Sequence, residues 1–275
     1  MSKYKIVFVD IDDTLNPANK KTSTRTIDTM TKLKNKGIIV VANTGRSNKY
    51  AINKSKEANL SQYVISSNGA EVYNYEKNEV IFQKNIPEIL IKKVYEYCET
   101  VKLTLILNSL DKRLANTTNY DYNDEPVIPI KNIDDVLKKY PINQMIIISK
   151  NYDRMLVLPN LFKAKFPSLK TIHSSIALVD QKPVKGKQYY HDLVMQNTSK
   201  STGIVELLDY LKIDSEQAIA IGNGYDDICM CDVVGTSVAV DNANPLMKET
   251  ATMKTASSAD DGVAMILEKL ILDKE

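Results

Sequence analysis

Five short apolar runs, each bounded by polar loops, constrain this chain most: Ile6 to Val9, Ile38 to Ala42, Tyr63 to Ser66, Ala218 to Ile221 and Ser237 to Val240. Runs this short, rich in Val and Ile, read as strands buried on both faces. Helical stripes lie between several of them. Ile27, Met30 and Leu33 share one face, and Ile204, Leu207, Leu208 and Leu211 recur at the i, i+3, i+4, i+7 spacing of an amphipathic helix. Val263, Ile266, Leu267, Leu270 and Ile271 repeat the stripe near the end of the chain. Strands alternating with helices imply an α/β fold, a Rossmann-like parallel sheet covered on both sides.

The middle of the chain has a different texture. After Asn68-Gly69-Ala70, a hairpin-like stretch with Tyr73 and Tyr75 leads to Pro87, where a helix carrying Leu90, Val94, Tyr97, Cys98 and Val101 can begin. Two strand candidates follow, Leu103 to Leu107 and Met145 to Ile148, separated by a polar loop and a helix near Asp134 to Tyr140. A further strand around Thr171 to Val179 precedes Lys182-Pro183-Val184-Lys185-Gly186. The expected organisation is therefore a core of residues 1–83 and 187–275 with an inserted α/β cap domain at 84–186.

Length and composition allow this: 275 residues with 43% apolar content can fill one large core or two compact ones. Lys and Arg total 36 against 34 Asp and Glu, so no strong field favours nucleic acid or an anionic membrane. The expectation is no nucleic acid and no membrane among its partners. Only four apolar residues separate Lys5 from Asp10, too few for a leader core or a membrane span. Cys98, Cys229 and Cys231 suggest neither a disulfide framework nor a zinc site, and a reduced, cytoplasmic setting fits them best. The oligomeric state is left open.

Four segments could carry chemistry. Lys5-Ile6-Val7-Phe8-Val9-Asp10-Ile11-Asp12-Asp13-Thr14 places acids just beyond a buried strand, where open α/β sheets gather ligands. Asp10 and Asp12, two apart, can face one crevice, one to bind metal and attack phosphorus and the other to exchange protons; alone, they could equally cap the next helix. Ile38 to Arg46 ends a strand in Thr44-Gly45-Arg46, and Thr44 can donate to a phosphoryl oxygen or simply cap a helix. Lys200, just before an amphipathic stretch, can neutralise charge on an attacking carboxylate and a phosphoryl group, though one lysine among so many is usually at the surface. Ala218 to Asp227 ends a strand in a glycine-rich acidic loop that could help hold Mg²⁺, or be a surface turn.

In this order the four segments resemble the haloacid dehalogenase superfamily, with its D-x-D-x-T motif, strand-ending Ser/Thr, Lys and acidic loop. Ser66-Ser67-Asn68-Gly69-Ala70, Val238 to Ala243 and Asp261-Gly262-Val263-Ala264 are similar to its Cof-type branch, and the inserted segment matches the large α/β cap of that branch by position and pattern. The resemblance implies a Mg²⁺-dependent phosphatase with Asp10 as nucleophile, Asp12 as acid and base, and Thr44 and Lys200 holding the phosphoryl group. It further implies metal contacts among Asp10, Asp12, Asn223, Asp226 and Asp227, and substrate contacts at Ile11, Thr44, Gly45, Arg46, Lys200 and Asn242.

One departure stands out. The usual G-D-x-x-N-D is here Gly222-Asn223-Gly224-Tyr225-Asp226-Asp227, so Asp and Asn have exchanged places. Asn223 can still offer an oxygen but brings no charge, and Asp226 is expected to replace part of it. The expected substrate is a small phosphorylated metabolite such as a sugar phosphate, selected by cap loops; candidate contacts lie among Arg113 to Asp124 and near His173, a stretch that reads equally well as a solvated loop. Alternatives are a phosphomutase and a catalytically weakened sensor that binds a phosphorylated ligand.

Overall fold

The apolar residues of β1 (Ile6–Val9) are all fully buried, which only a central strand covered on both faces achieves. The computed structural model describes residues 3–17, 20–118, 126–175, 178–179, 182–183 and 188–273. From β1 the chain enters α1 (Thr24–Asn35), whose N-cap Ser23 accepts from the Thr26 backbone N–H. There follow β2 (Ile39–Asn43), α2 (Asn48–Glu57) with its N-cap Ser47, β3 (Tyr63–Ser66), β4 (Glu71–Asn74) and β5 (Glu79–Gln83).

The next stretch folds on its own sheet. It contains α3 (Glu88–Thr100), β6 (Thr104–Asn108), β7 (Arg113–Ala115), β8 (Ile128–Pro129), α4 (Ile133–Leu137), β9 (Gln144–Ser149), α5 (Tyr152–Lys165), β10 (Leu169–Ser175), β11 (Leu178–Val179), β12 (Lys182–Pro183) and β13 (Tyr189–Met195). The chain then passes through α6 (Lys200–Leu211), β14 (Ala218–Gly222), β15 (Thr236–Ala239), α7 (Pro245–Thr250), β16 (Met253–Lys254) and α8 (Gly262–Leu267), which runs on into a π-helical turn, Glu268–Leu272.

These elements form two compact units, Met1–Phe82 with Ser199–Glu275, and Gln83–Thr198. In the first, the strand order is β16-β15-β14-β1-β2-β3-β4-β5, parallel from β16 to β3 and antiparallel between β3 and β4. Ile6 and Phe8 face a core shared with Val41, Ile65, Ala220 and the stripe residues Ile204, Leu207 and Leu208 of α6. Val7 and Val9 point to the opposite face by strand alternation and are equally buried. Strand and helix alternation in the sequence thus yields the mixed α/β sandwich it implies.

The second unit is a six-stranded sheet in the order β10-β13-β9-β6-β7-β8, antiparallel except for β7 with β8. Its core gathers Ile91, Val94 and Cys98 of α3 with Leu105, Leu107, Met145, Ile147, Leu158 and Phe162. It ends at Thr198 rather than near 186, because β13 pairs with both β9 and β10 and so belongs to this sheet. Neither β13 nor α5 was among the expected elements. In β13 the apolar run is broken by His191 and Asp192, both buried. In α5, Pro159 lies inside the helix, where sequence reads it as a helix breaker, and Leu156 and Val157 are exposed, which blurs the apolar stripe. No described helix is long and apolar enough to cross a membrane.

Candidate active site

Parallel pairing brings the carboxyl ends of three strands to one edge. Val9 stands level with Ala42 of β2 and Ile221 of β14, so Asp10, Asn43 and Gly222 leave the sheet side by side. Asp10 continues the ladder by donating its N–H to the Ile221 carbonyl at 3.0 Å and accepts from the Leu15 N–H at 3.1 Å. Asp13, at φ 60, turns the chain back, a conformation that aspartate tolerates better than most residues. The acids of the first motif therefore hang from a short, internally hydrogen-bonded loop.

Lys200 is the first residue of α6, placed by a capping box in which the Thr202 hydroxyl accepts from the Ser199 N–H at 3.1 Å. Its side chain is buried, and three carboxylates converge on Nζ: Asp10 Oδ1 at 2.7 Å, Asp227 Oδ1 at 2.6 Å and Asp226 Oδ2 at 2.8 Å. Burial pushes the Asp10 carboxyl well above the usual range; Lys200 pulls it down, and Asp227 and Asp226 push it further up. Burial works against the charged Lys200, but its three acidic neighbours outweigh that and hold it firmly protonated. The single Lys200 ammonium thus faces three carboxylates.

The acidic loop explains its own glycine. A Cβ on Gly222 would lie 2.5 Å from the Asp227 Cβ. That close approach lets Asp227 Oδ2 accept from the backbone N–H groups of Asn223 at 2.9 Å and Gly224 at 2.8 Å while Oδ1 holds Lys200. Burial raises the Asp227 pKa and Lys200 opposes it. The Asn223 side chain turns toward the first motif, where Oδ1 accepts from the Thr14 hydroxyl at 3.0 Å.

These donors suit a hard cation. Among the described residues no three His, Cys, Asp or Glu side chains are already arranged to hold a metal. Mg²⁺, however, commonly takes only one or two carboxylates, with water and phosphate completing the octahedron. The three carboxylates gathered on Lys200, two of them buried, and the all-oxygen set of Asp10, Asn223, Asp226 and Asp227 fit such an ion.

Thr44 is buried at the end of β2, and its hydroxyl accepts from the Arg46 N–H at 3.2 Å. A Cβ on Gly45 would meet the Asn68 side chain at 2.8 Å, so this loop packs closely on the turn after β3. Ile11 is fully buried and can meet a ligand through its backbone alone. Asn242 ties loops together: Nδ2 donates to the Asp13 carbonyl at 2.7 Å and Oδ1 accepts from the Ser258 N–H at 2.8 Å. In the inserted unit, Arg113 is buried and donates to Asn108 Oδ1 at 3.1 Å. Residues 119–124 and the His173 side chain, both named as substrate-selecting, lie outside the described residues, as do Val184 to Gly186.

The profile of the haloacid dehalogenase-like hydrolases matches residues 7–267, nearly the whole chain. The chain belongs to this family. A putative phosphatase of Bacillus subtilis, YxeH, is 25% identical over 98% of this chain and 100% of its own length. The 5-amino-6-(5-phospho-D-ribitylamino)uracil phosphatase YitU of the same organism is 22% identical, covering 98% of each. A haloacid dehalogenase-like hydrolase from Bacteroides thetaiotaomicron superposes with a TM-score of 0.84 at 23% identity, covering 98% of this chain and 100% of that one. With full-length relatives of this kind, this hydrolase is a phosphatase of the family.

One residue of the hydrolase's site was not expected from sequence. Tyr50, in the first turn of α2, donates its hydroxyl to Asp12 Oδ1 at 2.7 Å, and the Arg46 guanidinium carbon lies 4.2 Å from its ring centroid. Burial and the negative charge of Asp12 raise the phenol pKa. The available signal was a tyrosine in the first turn of the helix that follows Thr44-Gly45-Arg46; the 38-residue separation from Asp12 hid the rest.

The Ser67-Asn68-Gly69 turn shows why its motif has that composition. All three residues have positive φ, at 52°, 56° and 84°, and a Cβ on Gly69 would fall 1.9 Å from the Ser199 carbonyl oxygen. Gly69→Ala is expected to destabilise the fold by about 3 kcal/mol or more, because a backbone atom at the start of α6 must move. Urea unfolding measures the loss, and Lys200 shifts with it, so activity falls in parallel.

Proposed function

We propose that this phosphatase hydrolyses a small phosphorylated metabolite, with Mg²⁺ as cofactor, through an aspartyl-phosphate on Asp10. The observation that carries the reading is the buried Asp10 carboxylate at a strand end, with Lys200 Nζ 2.7 Å from Oδ1. Lys200 engages that oxygen, and Oδ2 attacks phosphorus. The bond between phosphorus and the leaving oxygen breaks as Asp12 gives that oxygen a proton. Water then attacks the aspartyl-phosphate, Asp12 takes its proton, and the Asp10–phosphorus bond breaks to release inorganic phosphate. Thr44 and the backbone at Gly45 hold phosphoryl oxygens, and Lys200 offsets the repulsion between carboxylate and phosphoryl group.

Mg²⁺ would be held by Asp10, the Asp12 carbonyl and Asn223, with Asp226 and Asp227 beside them, and when bound it supplies positive charge to the phosphoryl oxygens and to the crowded carboxylates. Substrate selection is assigned to the inserted unit. The YitU substrate carries its phosphate on a ribityl chain, and a polyol or sugar phosphate is the class proposed here.

A screen of phosphorylated metabolites with Mg²⁺, with and without a chelator, tests the proposal by release of inorganic phosphate, which also separates hydrolysis from a phosphomutase reaction. Turnover unaffected by the chelator would remove the metal from the reading.

The exchanged Asn223 and Asp226 make a separate prediction. Asp226→Ala is expected to weaken Mg²⁺ binding about tenfold by calorimetric titration, and the double exchange Asn223→Asp with Asp226→Asn to restore it. Unchanged affinity in Asp226→Ala would sink the idea that Asp226 replaces the missing charge.

A further inference from the structure

We propose that Tyr50 is a positioning residue for Asp12: its hydroxyl engages one carboxylate oxygen so that the other is presented to the leaving group. This rests on the reading of Asp12 as the acid. The Asp12 side chain is 45% exposed on a loop, where an unrestrained carboxylate samples several rotamers and delivers its proton from only some of them. Tyr50 removes that freedom by donating to Oδ1 at 2.7 Å. Oδ2 faces Arg46, whose Nη1 stands 3.9 Å away, too far for its N–H to hydrogen-bond that oxygen and occupy it.

Tyr50 is itself held from two directions. Its N–H donates to the Ser47 hydroxyl at 3.3 Å, anchoring it to the α2 cap, and the Arg46 guanidinium stacks on its ring at 4.2 Å. The helix that follows the Thr44-Gly45-Arg46 loop therefore also sets the acid of the first motif. When Asp12 is protonated, its proton sits on Oδ2, and Oδ1 still accepts from the phenol, so the contact persists through both steps of the reaction.

A positioning role makes a prediction that a structural tie does not. Proton donation matters for a basic leaving group and little for an acidic one. Wild type, Tyr50→Phe, Asp12→Asn and the double variant are compared by kcat/KM on phenyl phosphate and para-nitrophenyl phosphate in the presence of Mg²⁺. Tyr50→Phe keeps the ring and its Arg46 contact, and an unchanged melting temperature confirms the fold.

The expected result for Tyr50→Phe is a loss of about tenfold on phenyl phosphate and less than about twofold on the nitrophenyl ester, with the double variant no slower than Asp12→Asn. Equal losses on both esters, additive losses in the double variant, or no loss on phenyl phosphate overturn the inference while leaving Asp12 as the acid. If Asp12→Asn itself leaves the difference between the two esters unchanged, the reading of Asp12 fails instead, and the inference with it.

Discussion

Asp10→Asn is expected to lower kcat/KM by on the order of 10⁴-fold or more, since removal of the proposed nucleophile would abolish the covalent route and leave only residual stabilisation by the surrounding site. The amide is nearly isosteric with the carboxylate, but its oxygen is a poor nucleophile. Stability should move the other way or not at all. Asp10 is one of three carboxylates on a single ammonium, and burial already disfavours its charge, so neutralising it relieves more repulsion than it loses attraction. A melting temperature at or above that of the wild type, together with lost phosphate release, is the expected pair of results. Activity within tenfold of wild type would refute Asp10 as the attacking group.

Lys200→Met is expected to damage both properties. The side chain is of similar length and buried in the same place, so packing is largely kept, while the cation that Asp10, Asp226 and Asp227 share is removed. Breaking a buried ionic cluster from one side costs about 3–5 kcal/mol, and loss of a preorganised positive group costs about 10²- to 10³-fold in turnover. The stability deficit should depend on pH in a defined direction. Asp10 and Asp227 already have raised carboxyl pKa values in the folded state, and without Lys200 they rise further. An acid whose folded pKa exceeds its unfolded value binds its proton first in the folded state, so stability recovers as pH falls through the raised pKa and recovery is complete below the unfolded value. Urea unfolding across that window should show the variant's deficit largest near neutrality and narrowing in acid.

How much of this was legible beforehand differs between the two units. In the first, Ile6–Val9, Tyr63–Ser66 and the stripe of α6 could be read because each element carries its own uninterrupted apolar signal. In the second, α5 was hidden by Pro159 and two exposed apolar residues, and β13 by a buried His191 and Asp192 whose tolerance depends on partners elsewhere. The four chemical segments were recognisable by residue type and order. Their joint meaning came from resemblance, since a lone Lys200 or a Thr44-Gly45 pair is ordinary when taken singly.

By itself the sequence determined which residues can act and on which elements they ride: Asp10 after a buried strand, Lys200 at the head of an amphipathic helix, and carboxylates in a glycine-rich loop. Local periodicity and chain chemistry suffice for that, because each depends on near neighbours. Only the tertiary structure decided that Asp226 reaches Lys200, that Asn223 answers Thr14, and that Tyr50 meets Asp12. Those contacts join residues 26, 209 and 38 positions apart, and side chains so distant along the chain meet only after parallel pairing has brought the strand ends to one edge.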